Sequence, residues 1–258
     1  MKKFFSVFLT GLLILGLMVV AVGCGSGSDQ DGSESEKVMK VGTEATFAPF
    51  EFTETDGTIT GFDVDLIKAI GEEMGYQVAV EHIEWDGLDP ALNSEQVDVV
   101  ISGVTITEER KLEMDFSEPY FEASQIIAVR EDSEVSGMAD LAGKKVGVQG
   151  NTTGQYVCED AGLPDDNIIK YATIPDAMMN LSNGSLDAVV GDSPVVMNYI
   201  ANNPEMKFKT VTDDFEKEYF GIKVKKGNQE LLDDINAGLA KVQENGKFDE
   251  IFNKYFQK

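Results

Sequence analysis

Two cysteines and a single histidine are all this chain has of the residues that most often carry nucleophilic, redox or metal chemistry. Hydrolysis by a histidine-assisted nucleophile would have to use His82, and no serine or cysteine motif points to it. No metal-ligand spacing occurs, so neither a metal nor another cofactor is expected. Basic residues are also scarce. Against 46 Asp and Glu there are 21 Lys and Arg, a formal charge of −25 that repels nucleic acid and anionic lipid and keeps the chain soluble. A weak pull on cationic solutes is the sharper consequence of the same charge.

Only one long hydrophobic run is present. It extends from Phe4 to Val22, comes after Lys2 and Lys3, and ends in Ala21-Val22-Gly23-Cys24. A charged start, apolar middle and small-residue end describe an export signal over residues 1–23. A membrane-spanning anchor is the other reading of that length, but the residues from Gly23 onward favour cleavage. Gly23-Cys24 resembles a bacterial lipobox, in which the chain is cut before the cysteine and the thiol carries a lipid; Ala21 departs from the larger aliphatic usual there. Cutting removes Lys2 and Lys3 and no acid, which takes the charge from −25 to −27. Residues 24–37, opening with Gly25-Ser26-Gly27-Ser28 and then acidic, read as a flexible tether, and the folded part is expected from Val38. With Cys24 modified, Cys158 has no disulfide partner and is expected to be a packed or half-exposed thiol.

What the remainder does have is an alternation of short apolar runs with helical patterns, the mark of parallel strands crossed by helices and hence of an α/β fold. Strands are expected at Val38–Thr43, Val78–Ile83 and Val97–Ser102, with helices at Asp63–Met74 and Pro90–Ser94. A second round has strands at Lys145–Gln149 and Leu186–Gly191 and a helix at Asp176–Asn183. Leu92–Val100 and Leu181–Val189 match in pattern without a gap, a weak internal duplication that implies two lobes. From Glu230 to Phe256 apolar residues repeat at helical spacing on both sides of Gly246, with no strand of their own to cover. That segment is expected to return to the first lobe. The chain then crosses twice, at residues 120–124 and 216–220, making a hinge between lobe 1 (38–119 plus 221–258) and lobe 2 (125–215).

Ligands of open α/β sheets bind beyond the carboxyl ends of the strands. The residues there are Glu44 to Phe47, Trp85, Ser102 to Arg110, Gln149 to Gly154, and Gly191 to Ser193. In the third group Gly103 admits close backbone approach, hydroxyls and amides can meet a carboxylate, and Arg110 offers a planar fork for one. Alternatively Arg110 pairs with Glu109 or Glu113 on a surface helix. Asp192 ends a buried strand and needs a partner, unless it caps the next helix through Ser193. Asp63 and Asp65, as a pair of acids, invite a catalytic or metal role, but Asp63 sits where a helix begins and reads as an N-cap.

Gly61-Phe62-Asp63-Val64-Asp65-Leu66, the run from Ser102 to Arg110, Asp115-Phe116-Ser117-Glu118-Pro119-Tyr120, and Val146-Gly147-Val148-Gln149 with Thr152-Thr153-Gly154 resemble the polar amino-acid solute-binding proteins of ABC importers. The resemblance runs from about Val38 to Phe256. It implies a two-lobed periplasmic-binding-protein-like fold of type II that closes on one free amino acid and delivers it to an ABC permease outside the cytoplasm. Carried over, it sets Arg110, Gly103, Thr105 and Thr153 on the ligand carboxylate. Asp192 and Gly103 then meet the ammonium, and Glu44, Phe47, Trp85, Gln149 and Ser102 surround the side chain. Glu44, Trp85 and Gln149 look more like the arginine, lysine and histidine receptors than the glutamine receptors, although a glutamine amide could still donate to Glu44. An enzyme on the same fold, as in some dehydratases, and a sensor with a signalling partner are the rival readings; the sensor lacks an output segment before Lys258. A monomer is the default expectation.

Overall fold

The computed structural model describes residues 37–257. The expected leader, the lipid-bearing Cys24 and most of the tether lie outside the described residues; Lys37, placed in the tether, already belongs to the first strand. The chain runs β1 (Lys37–Thr43), β2 (Thr46–Phe47), β3 (Glu51–Thr53), β4 (Ile59–Thr60), α1 (Phe62–Met74), β5 (Tyr76–His82), α2 (Trp85–Asn93), β6 (Val99–Val100), α3 (Glu108–Glu113), β7 (Met114–Phe116) and β8 (Phe121–Arg130). It continues through β9 (Val146–Gln149), α4 (Thr153–Asp160), β10 (Ile168–Tyr171), α5 (Ile174–Ser182), β11 (Ala188–Asp192), α6 (Ser193–Asn202), β12 (Phe208–Val211), β13 (Lys217–Phe220), β14 (Lys223–Lys225), α7 (Gln229–Glu244) and α8 (Lys247–Phe256).

Two mixed sheets form the two lobes. The first has the order β5-β1-β6-β14-β7 and the second β10-β9-β11-β8-β12. In the first, β1 pairs parallel with β5 and β6; in the second, β9 pairs parallel with β10 and β11. β5 alternates between more and less exposed residues as an edge strand should, whereas β9 is buried throughout. The duplicated segment occupies equivalent places. Asp98 accepts from the Lys40 amide (2.8 Å) and Asp187 from the Lys145 amide (2.9 Å), so each aspartate ties a helix-to-strand turn to the neighbouring strand.

α1 buries Val64, Leu66, Ile67 and Ile70 and stops at Gly75, whose left-handed φ of 76° closes the helix. α7 and α8 add Leu232, Ile235, Leu239, Val242 and Ile251 to the same core. α2 covers the opposite face with Leu88 and Leu92. α2 starts at Trp85 rather than at the expected Pro90: the Gly87 amide donates to the Glu84 carbonyl (2.8 Å), so a helical turn precedes the proline. In the second lobe Cys158 is fully buried between β9 and its neighbours, and burial pushes its thiol up to about 12, which leaves it inert.

Two strands connect the lobes. The start of β8 pairs antiparallel with β13, Phe121 opposite Phe220 and Ser124 opposite Lys217, and the rest of β8 enters the second sheet beside β11 and β12. Phe50, at the end of the turn after β2, touches both ribbon strands and the last helix: its ring centroid lies 4.8 Å from Phe121, 5.2 Å from Phe220 and 5.3 Å from Phe256.

Candidate functional site

The carboxyl ends of both parallel sets face each other across a narrow cavity between the lobes, the place where open α/β sheets bind their ligands. Glu44, Phe47, Trp85, Ser102, Gly103, Thr105, Arg110, Gln149, Thr153 and Asp192 all line it, and Thr152 joins them without a ligand role expected from the sequence. Phe47 lies in the short strand β2 and Trp85 opens α2, so neither belongs to the post-strand loops expected of them.

Arg110 sits in the first turn of α3, a helix capped by Thr107, whose hydroxyl accepts the Arg110 amide at 3.2 Å. Its guanidinium turns inward instead of toward Glu109 or Glu113. Nη1 donates to the Thr105 carbonyl (2.8 Å), Nη2 to the Asn151 carbonyl (3.3 Å), and the group lies 5.5 Å from the Trp85 ring centroid. Burial depresses its pKa, opposed by Tyr156, Asp89, Asp192 and Glu218, yet a guanidinium stays charged in any case.

The Asn151 carbonyl also accepts from the Trp85 indole (3.2 Å), and the Asn151 side-chain amide donates to Asp86 (2.9 Å). One residue of the second lobe thus grips three side chains of the first. Its φ of 59° is left-handed, a conformation asparagine tolerates better than most residues. That preference, just before the Thr152-Thr153 helix start, was the available clue.

Gly103 has a φ of 54°, and a Cβ there would come within 2.6 Å of Phe47, so the position requires glycine. Its amide donates to Asp63 Oδ2 (2.8 Å), which also accepts from the Tyr120 hydroxyl (2.7 Å). Of the two roles expected for Gly103, the amide is therefore already committed and the carbonyl remains. Asp63 is not the N-cap of α1; Gly61 occupies that place, and Asp63 is fully buried beneath the cavity floor. Beside it Glu51 accepts from the Ser102 hydroxyl (2.9 Å), which in turn accepts from the Glu44 amide (2.9 Å). Burial pushes Asp63 up to about 6, and burial together with Asp63 raises Glu51 well above the carboxylate range.

Thr105 and Thr153 face each other across the cleft, hydroxyls 3.5 Å apart, and both donate to Glu218 Oε2 at 2.7 Å. Glu218 comes from the connecting strand β13 and was missed, because Glu216-Lys217-Glu218 reads as a solvated charged stretch. Because the hydroxyl protons point at Glu218, the groups left for a ligand are main-chain amides. Thr105 lies between Val104 and Ile106, which bond to the ribbon, so its own amide turns away from that strand. Thr153 is the first residue of α4, where amides have no helical partner. Gln125 Nε2, also unforeseen, reaches Asp192 (3.2 Å) and Glu218 (3.1 Å).

Asp192 makes no side-chain cap to α6. It is buried, and burial plus the Glu218 carboxylate push it up to about 8 against the pull of Arg110. Glu44, 1% exposed, is raised by burial, an effect the Thr46 hydroxyl (2.5 Å) and, less strongly, the Gln149 side chain counter. Among the described residues no lysine or arginine pairs with it. The Gln149 side-chain nitrogen is buried beside Glu44 but beyond ordinary hydrogen-bond distance of it, which leaves it without a full partner.

A family model, bacterial extracellular solute-binding proteins, family 3, matches residues 39–258. A probable histidine-binding protein of Neisseria gonorrhoeae is 41% identical over 239 residues, 92% of this chain and 89% of its own length. A putative ABC transporter arginine-binding protein of Escherichia coli K12 is 36% identical over 228 residues, 86% of this chain and 92% of its own. Among solved structures, the arginine-, lysine-, histidine-binding protein ArtJ of Geobacillus stearothermophilus has a TM-score of 0.83 at 44% identity, covering 86% of this chain and 96% of that chain. With the match running from the first strand through the last helix, the chain belongs to the bacterial extracellular solute-binding proteins, family 3.

Proposed function

We propose that this protein binds one free cationic amino acid, arginine, lysine or histidine, between its lobes and presents it to an ABC permease outside the cytoplasm. The observation that carries this reading is Glu44. A buried carboxylate without a protein cation, on a cavity walled by Phe47 and Trp85, is costly until a cation from outside pairs with it. Aromatic walls suit both the aliphatic stem and the charged head of such a ligand. Gln149 completes that subsite, since rotating its amide turns an oxygen toward a cation, and Ser102 holds the Glu44 main chain.

At the other end, Arg110 with the Thr105 and Thr153 amides takes the ligand carboxylate, helped by the dipole of α4. Asp192 and the Gly103 carbonyl take the ammonium. Lobe 1 comprises residues 37–119 plus 221–258 and lobe 2 residues 125–215, with the crossings at 120–124 and 216–220 as the hinge. A ligand bridging the lobes favours closure through its differential affinity for the closed form. After removal of residues 1–23, a lipid on Cys24 tethers the protein to the membrane through residues 24–36, and it works as a monomer. Binding rather than catalysis fits a lone histidine, His82, that lies outside the cavity, is engaged by Ala45 and Glu84, and pairs with no nucleophile.

A second ligand class rests on one feature: the unpartnered Gln149 amide with Glu44 could also satisfy the carboxamide of glutamine. A thermal-shift screen against the twenty amino acids, on protein unfolded and refolded to strip ligand, separates the two, because ligands of the native state raise Tm by mass action. Shifts confined to arginine, lysine and histidine support the cationic site. A shift with glutamine alone overturns Glu44 as the specificity charge, and no shift with any amino acid overturns the proposal.

A further inference from the structure

His82 lies outside the cavity but touches the turn that builds it. β1 ends at Thr43, opposite His82 on β5, and the next residues carry the Glu44 carboxylate and the Phe47 wall. Between those two, the Ala45 amide donates to His82 Nδ1 at 3.0 Å. A main-chain amide can only donate, so Nδ1 accepts and carries no proton. The ring is therefore neutral with its hydrogen on Nε2, which faces Glu84 at 3.4 Å. The Ala45 carbonyl is held separately by the Thr53 hydroxyl (3.4 Å), the Thr46 amide closes onto the Glu44 carbonyl (2.8 Å), and Ser102 holds the Glu44 amide (2.9 Å), so His82 is the side chain that fixes the Ala45 amide.

Resting on the reading of the cavity as an amino-acid site, we infer that His82 is a positioning residue for the ligand side-chain subsite, holding Glu44 and Phe47 in place through an unprotonated Nδ1. Protonation puts an N–H on Nδ1 directly against the Ala45 N–H. Two donors cannot share that contact, so the turn must shift and the subsite loosens. The ring is accessible to solvent protons, its side chain being 38% exposed. The neutral ring is the competent form.

The charged groups around the ring are Glu44 on the β1 side and Glu84 before α2; Glu81, its neighbour on β5, is turned to Gln96 (3.3 Å). Glu44 also titrates in acid, so the test must separate the two. His82→Asn keeps an acceptor near the Nδ1 position that no proton can occupy, and His82→Ala removes it.

The first measurement tracks the Ala45 amide by NMR in the ligand-free purified protein between about pH 8 and pH 5.5. The expected result is a resonance that shifts in step with His82 protonation in the wild type and stays in place in His82→Asn. The second titrates arginine and glutamine calorimetrically over the same range. One amide hydrogen bond corresponds to about threefold to tenfold in affinity. The wild type should lose that factor on acidification for both ligands, over and above His82→Asn, and His82→Ala should show the loss already near pH 8. Equal pH slopes in wild type and His82→Asn would overturn the inference, as would an acid loss confined to arginine, which charge repulsion alone explains. An Ala45 amide that titrates with His82 in a protein binding no amino acid at any pH would instead sink the parent reading and leave the contact standing.

Discussion

Replacing Arg110 by alanine removes the guanidinium on the cavity and, with it, a bond to Thr105 in its own lobe and the bond to Asn151 that joins the two lobes. Two charge-assisted hydrogen bonds to a ligand carboxylate correspond to a loss of about a hundredfold or more, and calorimetry should find it for every amino acid alike. Glu44→Gln should act on one end only, weakening arginine and lysine by about tenfold or more, the scale of one charged hydrogen bond, while leaving glutamine near its starting affinity. Asp192 adds a proton signature. Pushed up to about 8 in the ligand-free protein, it holds a proton near pH 7 that an incoming ammonium must displace. Calorimetry near pH 7 in buffers of different ionisation enthalpy should therefore register up to about one proton released per ligand bound, and Asp192→Asn should abolish that release. The sign for stability is opposite to that of a paired carboxylate: because its folded pKa is raised, Asp192 favours the ligand-free fold at low pH, and this contribution is lost as pH rises from about 4 to about 8. Arg110, Asp192 and Glu44 were legible in the sequence because each comes after or ends a strand and is expensive to bury unpaired. Glu218, Gln125 and Asn151 were not, since their partners come from other parts of the chain and their own neighbourhoods look like ordinary polar surface.

Among the elements, α1 does two tasks at once. Its outer face packs on α7 and α8, while Asp63 in its first turn reaches under the sheet to hold the Gly103 amide and the Tyr120 hydroxyl. Gly103→Ala should disturb the site from this floor, since its Cβ would press into Phe47 and its φ of 54° would be strained. The expected result is weaker binding of all amino acids with a stability loss of about 1 kcal/mol or more, checked by calorimetry and denaturant unfolding. Phe50 shows the same coupling at the connecting ribbon, where rings of β8, β13 and α8 meet it. Phe50→Ala should cost about 3–5 kcal/mol in denaturant unfolding, as large aromatic truncations do. The C-terminal helices read clearly from their apolar spacing. That α8 ends against Phe121 of the crossing strand β8 did not, because a periodic stripe tells which face is buried and not what buries it.

Across the whole molecule, two parallel-sheet units aim their strand ends at one cavity, and a two-stranded ribbon with a carboxylate, Glu218, on its inner side joins them. The Asn151 carbonyl and the threonine pair then meet groups from the opposite lobe only when the lobes are together. Residue pattern was enough for the alternation of strands and helices, the weak duplication with its equivalent Asp98 and Asp187, the second crossing of the chain, and the lining of the cavity. Strand periodicity and the rule that ligands lie beyond strand ends are local, and local pattern carries them. Which hydrogen-bonding groups remain available to a ligand was a matter for the folded molecule: Gly103 spends its amide on Asp63, the Thr105 and Thr153 hydroxyls spend their protons on Glu218, and His82 accepts from Ala45. A donor has one proton to place, and where it goes depends on acceptors brought near it by residues up to 113 positions away.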